Sequence, residues 1–299
     1  MAAHAESQPA AISGNERAEH EAEAEAEETE PPVSLGVDTV VGFGKLPVVT
    51  DAQTLAVSPI ATESFVFALG YDLNKSFGLS LHVPLGVGQI DPPRGAARSA
   101  IALGNLELEG EYGLQLAAAL RLTFALGVSL PTAQGDETPH ELESEAVAQS
   151  ERRRYDRGAI LFAAAAARGF EDEAQFEVDR FGIVPKVRLD YRHGRLLVRP
   201  YMTMENLFDT GSEKRPPLIE LLVGSYVGVL LCNEHLELGA RVWTDLALSG
   251  GGETVGVVEP RVTAHFDSLT VTLGGIWPFA GDLTDPQFGG VRLQLGLRI

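Results

Sequence analysis

Long segments in which apolar and polar residues alternate constrain the fold of this chain more than any other feature. The clearest is 289–299, where polar or small residues separate Val291, Leu293, Leu295, Leu297 and Ile299. Alternation with a period of two predicts a β-strand with one apolar and one polar face. The pattern recurs between residues 33 and 279, so the chain is expected to contain about twelve such strands.

Strand length and loop length then distinguish a membrane protein from a soluble one. Several segments reach about ten residues, whereas soluble strands average about five or six and a tilted membrane strand needs about nine to eleven. Short turns are predicted at 72–75, 111–113, 192–194, 232–235 and 266–268. Long loops are predicted at 44–61, 86–99, 131–180, 206–217, 248–254 and 280–288.

Alternation of short turns with long loops is typical of bacterial outer-membrane barrels. The sequence therefore predicts an all-β protein, a transmembrane antiparallel up-and-down β-barrel of about twelve strands over residues 33–299. An even strand number places both termini on the short-turn side. The alternative is a soluble β-sandwich, in which the apolar face of each strand would meet a core rather than lipid.

The segment 144–170 does not alternate. Its alanine run and Gly169 near its end predict a helix that stops at the glycine. If this segment were a strand, the number of strands would be odd and the C-terminus would lie on the long-loop side. We place the helix in the longest loop, either extracellular or folded into the barrel mouth, and take loop 131–180 as the candidate constriction or lid.

The first 32 residues differ from the rest. They contain nine Glu and one Arg without apolar periodicity, which predicts a disordered acidic N-terminal tail. Ala3-His4-Ala5 has the small-x-small pattern of a signal-peptidase site, so residues 1–5 are either a signal-peptide remnant or a chance alanine-rich start. The net charge of -19 argues against a nucleic-acid partner. No apolar run is long enough for a transmembrane helix.

The polar faces of the strands carry charges of both signs. The candidate lumen-lining residues are Glu107, Glu109, Arg121, Lys186, Arg188, Asp190, Arg195, Arg199, Glu205, Glu220, Glu237, Arg241, Asp245, Glu259 and Arg261, with Glu111 beside them. One interpretation is a set of ion pairs that stabilises a narrow barrel, because charges in a confined lumen need partners. The other is a pore whose charge rings select solutes.

Signals for an enzyme are weak. The sequence has neither a Gly-x-Ser-x-Gly nor a His-Glu-x-x-His motif, and His82 and His265 occur singly on inward faces. The Gly-rich stretch 249–254 opens no helix, so it is not a phosphate loop. The basic cluster 151–157 is either a lipopolysaccharide contact or an internal salt-bridge set. We predict a non-enzyme with no cofactor and no metal, although the acidic loop around His140 could hold a cation loosely.

Two stretches resemble a known family. They are "LRLTFALGVSLPTAQGDE" (120–137) and "GDLTDPQFGGVRLQLGLRI" (281–299). Within this strand plan they resemble the MetA-pathway of phenol degradation family, Gram-negative outer-membrane barrels regarded as transporters. The resemblance implies uptake or efflux of small compounds, aromatic or apolar ones among them. The chain departs from most outer-membrane barrels by ending in Ile299 rather than an aromatic residue.

These observations predict a monomeric outer-membrane channel that passes small solutes through a charged lumen. Its expected partners are outer-membrane lipid, lipopolysaccharide and the solute. The alternative is a plugged structural or surface-interaction barrel whose long loops bind a partner. A barrel enzyme would need a Ser-His pair near a rim, and none is located. The aromatic residues, Trp243 and Tyr201 among them, lie near strand ends or within strands without forming two clear girdles.

Overall fold

The computed structural model describes residues 33–50, 53–91, 96–135, 149–211, 215–249, 254–281 and 288–299. The predicted acidic tail and the acidic loop around His140 lie outside these residues. Within them the elements are β1 (Val33–Thr50), β2 (Gln53–Asn74), β3 (Phe77–Ile90), β4 (Arg98–Leu103), β5 (Leu106–Ala117), β6 (Leu120–Leu130), α1 (Gln149–Ala167), α2 (Glu173–Phe176), β7 (Arg180–His193), β8 (Leu196–Asp209), β9 (Leu218–Leu231), β10 (Leu236–Ser249), β11 (Val255–Phe266), β12 (Leu269–Gly281) and β13 (Gly289–Arg298).

The strands form one closed antiparallel barrel. Each pairs with its neighbours in the chain, and β13 returns to pair with β1, with Val37 opposite Leu295. The short β4 and β5 both pair with β3, so together they form one interrupted strand, and the thirteen segments make a barrel of twelve strands. Closure pairs both edges of the strands around the barrel, except that β4 pairs only with β3 among the described strands. The predicted up-and-down barrel is confirmed, and the β-sandwich alternative is wrong.

The outer surface is apolar and the inner surface polar, as the alternation requires. On β13, Leu293 on the outer face is 41% exposed, while the adjacent Arg292 on the inner face is 0% exposed. Exposed aromatic side chains lie toward both ends of the strands. Those toward the short turns are Tyr71, Tyr112, Tyr191 and Phe266, and those toward the long loops are Phe43, Phe208, Trp277 and Phe279. Such residues suit the two membrane–water interfaces. Trp243 and Tyr201 instead face the lumen.

One predicted turn is wrong. The turn predicted at 111–113 lies instead at 118–119, between β5 and β6. The segment 114–130, in which the alternation runs without a break, is therefore the end of β5 and all of β6. A two-residue turn alone would reverse the alternation, but the bulge between Gln115 and Ala117 adds one residue and restores it, so Leu114 and Leu122 face the same way. Ala118-Ala119 also lacks the Gly, Asn or Asp that marks such turns.

The predicted loop 44–61 is mostly strand. β1 and β2 continue to pair from Gly44 with Ile60 up to Thr50 with Gln53, with a bulge between Val48 and Val49. The neighbouring strands end earlier, because β13 starts opposite Phe43 and β3 ends opposite Ile60. The hairpin therefore extends beyond the wall on the long-loop side by about 20 Å, at about 3.3 Å per residue.

The predicted helix in the longest loop is α1, and it lies inside the barrel. It packs against β1 to β4 and β13. Its last turn ends in a Schellman motif, since the amide of Phe170 donates to the carbonyl of Ala165 and that of Gly169 to Ala166. Gly169 has a φ of +69° there, which confirms the predicted glycine stop. Neither described helix is long and apolar enough to cross a membrane.

The lone Cys232 offers a test of orientation. It is free and exposed in the short turn between β9 and β10, which the barrel layout places in the periplasm. In intact cells exporting the protein, a membrane-impermeant maleimide should leave Cys232 unlabelled until the outer membrane is permeabilised. A Cys232→Ser/Ser249→Cys variant, with its thiol at the long-loop end of β10, should label at once. The reverse pattern would contradict the orientation.

Candidate functional site

The long-loop half of the lumen is filled by α1. Six of its buried side chains are alanines, namely Ala159, Ala163, Ala164, Ala165, Ala166 and Ala167. Glycines on the facing wall make room for them. A Cβ added at Gly42 would overlap Ala167, and one at Gly88 would lie 2.5 Å from Cδ1 of Ile160. Small residues on both surfaces therefore let a whole helix fit within a twelve-stranded barrel.

The segment after α1 is fastened to the wall by Asn105, at the break between β4 and β5. The Asn105 side-chain amide donates to the carbonyls of Ala174 at 3.0 Å and Glu177 at 2.6 Å. Its backbone amide donates to the carbonyl of Gln175 at 2.7 Å. A Cβ at Gly104 would overlap that same carbonyl. The wall is thus interrupted where the hook, residues 168–177, bonds to it.

Ion pairs attach the start of the hook to β1, β10 and β13. Arg292 lies 2.9 Å from Glu171, 3.3 Å from Glu259 and 3.4 Å from Asp38. Arg241 pairs with the same Glu171 and, at 2.5 Å, with Glu259. The hook carboxylate therefore bridges β10 and β13.

Arg168 completes this network at the end of α1. It lies 2.5 Å from Asp38 on β1 and 2.7 Å from Asp172. Burial acts to lower the pKa of Arg168, but Asp38 and Asp172 outweigh it, so the pKa lies above its usual value. The buried network, which we call the arginine cluster, thus contains Arg168, Arg241, Arg292, Asp38, Glu171, Asp172 and Glu259.

A second charged group lies on β5 and β7. The Lys186 ammonium is 2.8 Å from Glu107 and 2.6 Å from Glu109. The hook joins it through Gln175, whose side-chain amide donates to Glu107 at 3.0 Å and lies 3.3 Å from Nδ1 of His82. These contacts give the buried Glu107 carboxylate the partners that its burial requires.

A third group consists of carboxylates, and Arg180 is the cation that lies near it. Glu173 of α2, Glu220 of β9 and Asp245 of β10 are buried, with carboxylate oxygens within 4.8 Å of one another. Glu205 stands directly opposite Glu220 in the strand register. Burial first, and then the carboxylates of Glu220, Glu177 and Glu205, raise the pKa of Glu173 well above its ordinary range.

The short-turn half of the lumen is open and charged. Cavities of about 310, 460 and 640 Å³ lie there. The first is bounded by the hook residues Glu171 and Asp172 and by Tyr201 and Tyr226. The hydroxyl group of Tyr201 is buried and has no hydrogen-bond partner in the described part of the chain, so it is available to a bound molecule. The hydroxyl group of Tyr226 is buried beside the carboxylate of Glu237.

The structure brings most of the predicted lumen residues together in these groups or beside the cavities. Arg199 lies between Asp190 and Glu237, at 3.4 and 3.5 Å, and Arg188 pairs with Asp190. Arg121 lies 4.0 Å from Glu111, and Arg261 donates to Gln294. His265 lies 3.5 Å from Glu237. Arg195 is the exception, because it is exposed in the short turn before β8.

The basic cluster 151–157 is partly paired internally. Asp156 lies 3.1 Å from Arg98, and Arg154 lies 3.8 Å from Asp179. Sequence reasoning missed the other half of the site. Asp38 and Arg292 stand on polar faces of alternating strands and could have been identified, whereas the hook acids occupy a segment without alternation and gave no such signal.

Comparison with protein-family models finds no match, and comparison with curated proteins finds none either. Solved structures are similar in fold. An outer-membrane channel from Pseudomonas putida F1 superposes with a TM-score of 0.58 at 10% identity, over 91% of this chain and 98% of that one. The transport unit of the autotransporter AIDA-I from Escherichia coli gives 0.50 at 12% identity, over 91% of each chain.

The β domain of the Bordetella autotransporter BrkA also gives 0.50, at 9% identity, over 90% of this chain and 100% of that one. At such identities the similarities show the fold alone, and the fold is that of an outer-membrane β-barrel, as predicted. The family resemblance is supported only in that one similar structure is an outer-membrane channel. The absence of catalytic activity stays a prediction.

Proposed function

We propose that the protein is an outer-membrane channel for small solutes, described here in a closed state in which α1 and the hook block the long-loop half of the lumen. The observation that carries the proposal is the contrast between the two halves. The blocked half is filled by a single loop that forms none of the wall's strand pairs. The other half keeps charged cavities, which a barrel with only a structural role would gain stability by filling.

The lining favours small solutes. Cavities of about 310 to 640 Å³ are in the range that holds small molecules. The long-loop half of the lumen is apolar around Phe162, Phe170 and Trp243. The short-turn half has Tyr201 and Tyr226 among its charged residues. Aromatic or apolar compounds, which the family resemblance implies, would meet compatible surfaces on this path. We also propose that the barrel acts as a monomer surrounded by outer-membrane lipid and lipopolysaccharide.

A reversible cross-link tests the closed state. A Cβ built at Gly86 on β3 lies 3.8 Å from Cβ of Ala164 on α1, within the disulfide range of about 3.5–4.5 Å. In planar bilayers, a Gly86→Cys/Ala164→Cys/Cys232→Ser variant should give no conductance steps when oxidised and discrete steps after reduction. The control is Ala164→Cys/Cys232→Ser, which should not respond to reductant. Equal conductance in both redox states would exclude α1 as the gate.

The second candidate is a plugged barrel that binds a partner at its surface. The extended β1–β2 hairpin favours it, because the outer part of the hairpin has unpaired edges that could accept a further strand. This candidate predicts no conductance from the parent or from the reduced double-cysteine variant, with a normal heat-modifiable mobility shift for both.

A further inference from the structure

We infer that Glu173, Glu220 and Asp245 form a buried calcium site that ties the hook to the wall, although the sequence alone predicts no metal. Three elements supply the ligands: α2 inside the lumen, and the neighbouring strands β9 and β10. The inference does not depend on the proposed channel function.

The carboxylates are buried without the partners that buried charges require. Glu220 is 1% exposed and Asp245 is 2% exposed. Among the described residues, no amide, hydroxyl or cation donates to either oxygen of Glu220, to Oδ2 of Asp245 or to Oε2 of Glu173. Glu173 and Glu220 are in hydrogen-bonding contact with each other, which two carboxylates can make only by sharing a proton. A buried, unpaired carboxylate costs several kcal/mol, so a cluster of them requires either protons or a cation.

The nearby side chains that could help are already engaged. Arg180 lies 3.2 Å from Glu177 and donates to the carbonyls of Leu207 and Pro216. Within the described residues, no Lys or Arg forms an ion pair with the three carboxylates. Glu205 adds a further negative charge, with one of its oxygens accepting from the amide of Ala174 at 2.6 Å.

The strand register places carboxylates on neighbouring strands next to one another, where they repel each other. Glu205 and Glu220 are directly opposite on β8 and β9, and Asp245 is diagonal to Glu220 on β10, two residues from its partner Ala247. Like charges in these positions repel each other. The chain nevertheless adds Glu173 from α2 to the same place, which a bound divalent cation would explain.

Oxygen ligands and burial favour calcium. An all-carboxylate set is typical of hard cations. The ligand atoms lie within 4.8 Å of one another, so one ion can contact all three carboxylates. The site is buried, which disfavours Mg²⁺ because that ion keeps several waters.

The test is the unfolding temperature of the full chain in detergent, followed by the heat-modifiable gel shift in EDTA and in excess CaCl₂ or MgCl₂. Calcium should raise the parent's transition by several degrees, and magnesium should raise it less. In EDTA, Glu220→Gln should be at least as stable as the parent because it removes repulsion, yet it should lose the calcium response. Asp190→Asn, which alters a lumen carboxylate outside the site, should keep that response.

Metal content measured after dialysis against trace calcium should be about one ion per chain for the parent and near zero for Glu220→Gln. If the carboxylates instead share a proton, calcium will neither bind nor shift the parent, and the inference is overturned. Calcium binding that Glu220→Gln leaves intact would also overturn it. Neither readout involves conductance, so a failure of the channel proposal would leave both informative.

Discussion

A variant in which a Gly/Ser linker replaces α1 (Gln149–Ala167) should be open almost continuously in planar bilayers, whereas the parent should open only in brief, infrequent steps. The physical reason is that α1 fills the long-loop half of the lumen yet contributes no strand to the closed ladder. The barrel should therefore still form. Its loss of stability should reflect about 0.8 kcal/mol for each methyl group that is no longer buried.

The matched control removes chain from the same side without opening the lumen. Shortening the β1–β2 hairpin between residues 46 and 57 deletes pairs that lie beyond the wall, so the conductance should stay at the parent's level. Heat-modifiable migration of both variants would show that each barrel is folded. A folded linker variant without conductance would mean that the hook alone closes the barrel or that no path exists, and the partner-binding alternative would then be favoured.

The wall was predictable because its physics is local. Each strand lies between lipid and a polar lumen, so the sequence must alternate with a period of two, as β13 does from Val291 to Ile299. The same regularity concealed the turn at Ala118-Ala119, since the bulge between Gln115 and Ala117 keeps the alternation in phase across it. The extended β1–β2 hairpin was missed because it leaves the wall.

The site was predictable only in part, because it depends on strand register and on long-range packing. The inward orientation of Glu205, Glu220 and Asp245 followed from alternation, but their common height along the barrel is set by pairing that the sequence does not state. The hook acids lie in a segment with no period. The wall partners of Glu171, which are Arg241 and Arg292, lie 70 and 121 residues away in the chain.

Replacing Arg292 by methionine should destabilise the closed state more than any other single substitution in the lumen. Arg292 is 0% exposed and contacts Asp38, Glu171 and Glu259. Its removal leaves two arginines facing four carboxylates in the arginine cluster. Breaking a buried ion pair costs about 3–5 kcal/mol. At about 1.4 kcal/mol per tenfold change, the ratio of open to closed barrels should rise roughly a hundredfold or more.

Movement of the hook can relieve the excess of negative charge that Arg292→Met leaves in the arginine cluster. Asp38 and Glu259 belong to wall strands and cannot leave, whereas Glu171 can move to water together with residues 168–172. Open probability measured in planar bilayers should therefore rise for Arg292→Met. Arg192→Met is the control, because its exposed pair with Glu234 is worth at most about 1 kcal/mol and lies in the short turns.

The double variant Arg292→Met/Glu171→Gln separates gating from damage to the wall. Removing the hook carboxylate restores the charge balance, with Arg168 and Arg241 left facing Asp38, Asp172 and Glu259. If the single substitution opens the barrel by expelling Glu171, the double variant should close it again. If the single substitution merely loosens the β1–β13 contact, the double variant should remain as leaky as Arg292→Met, and the arginine cluster would then stabilise the wall without holding the gate.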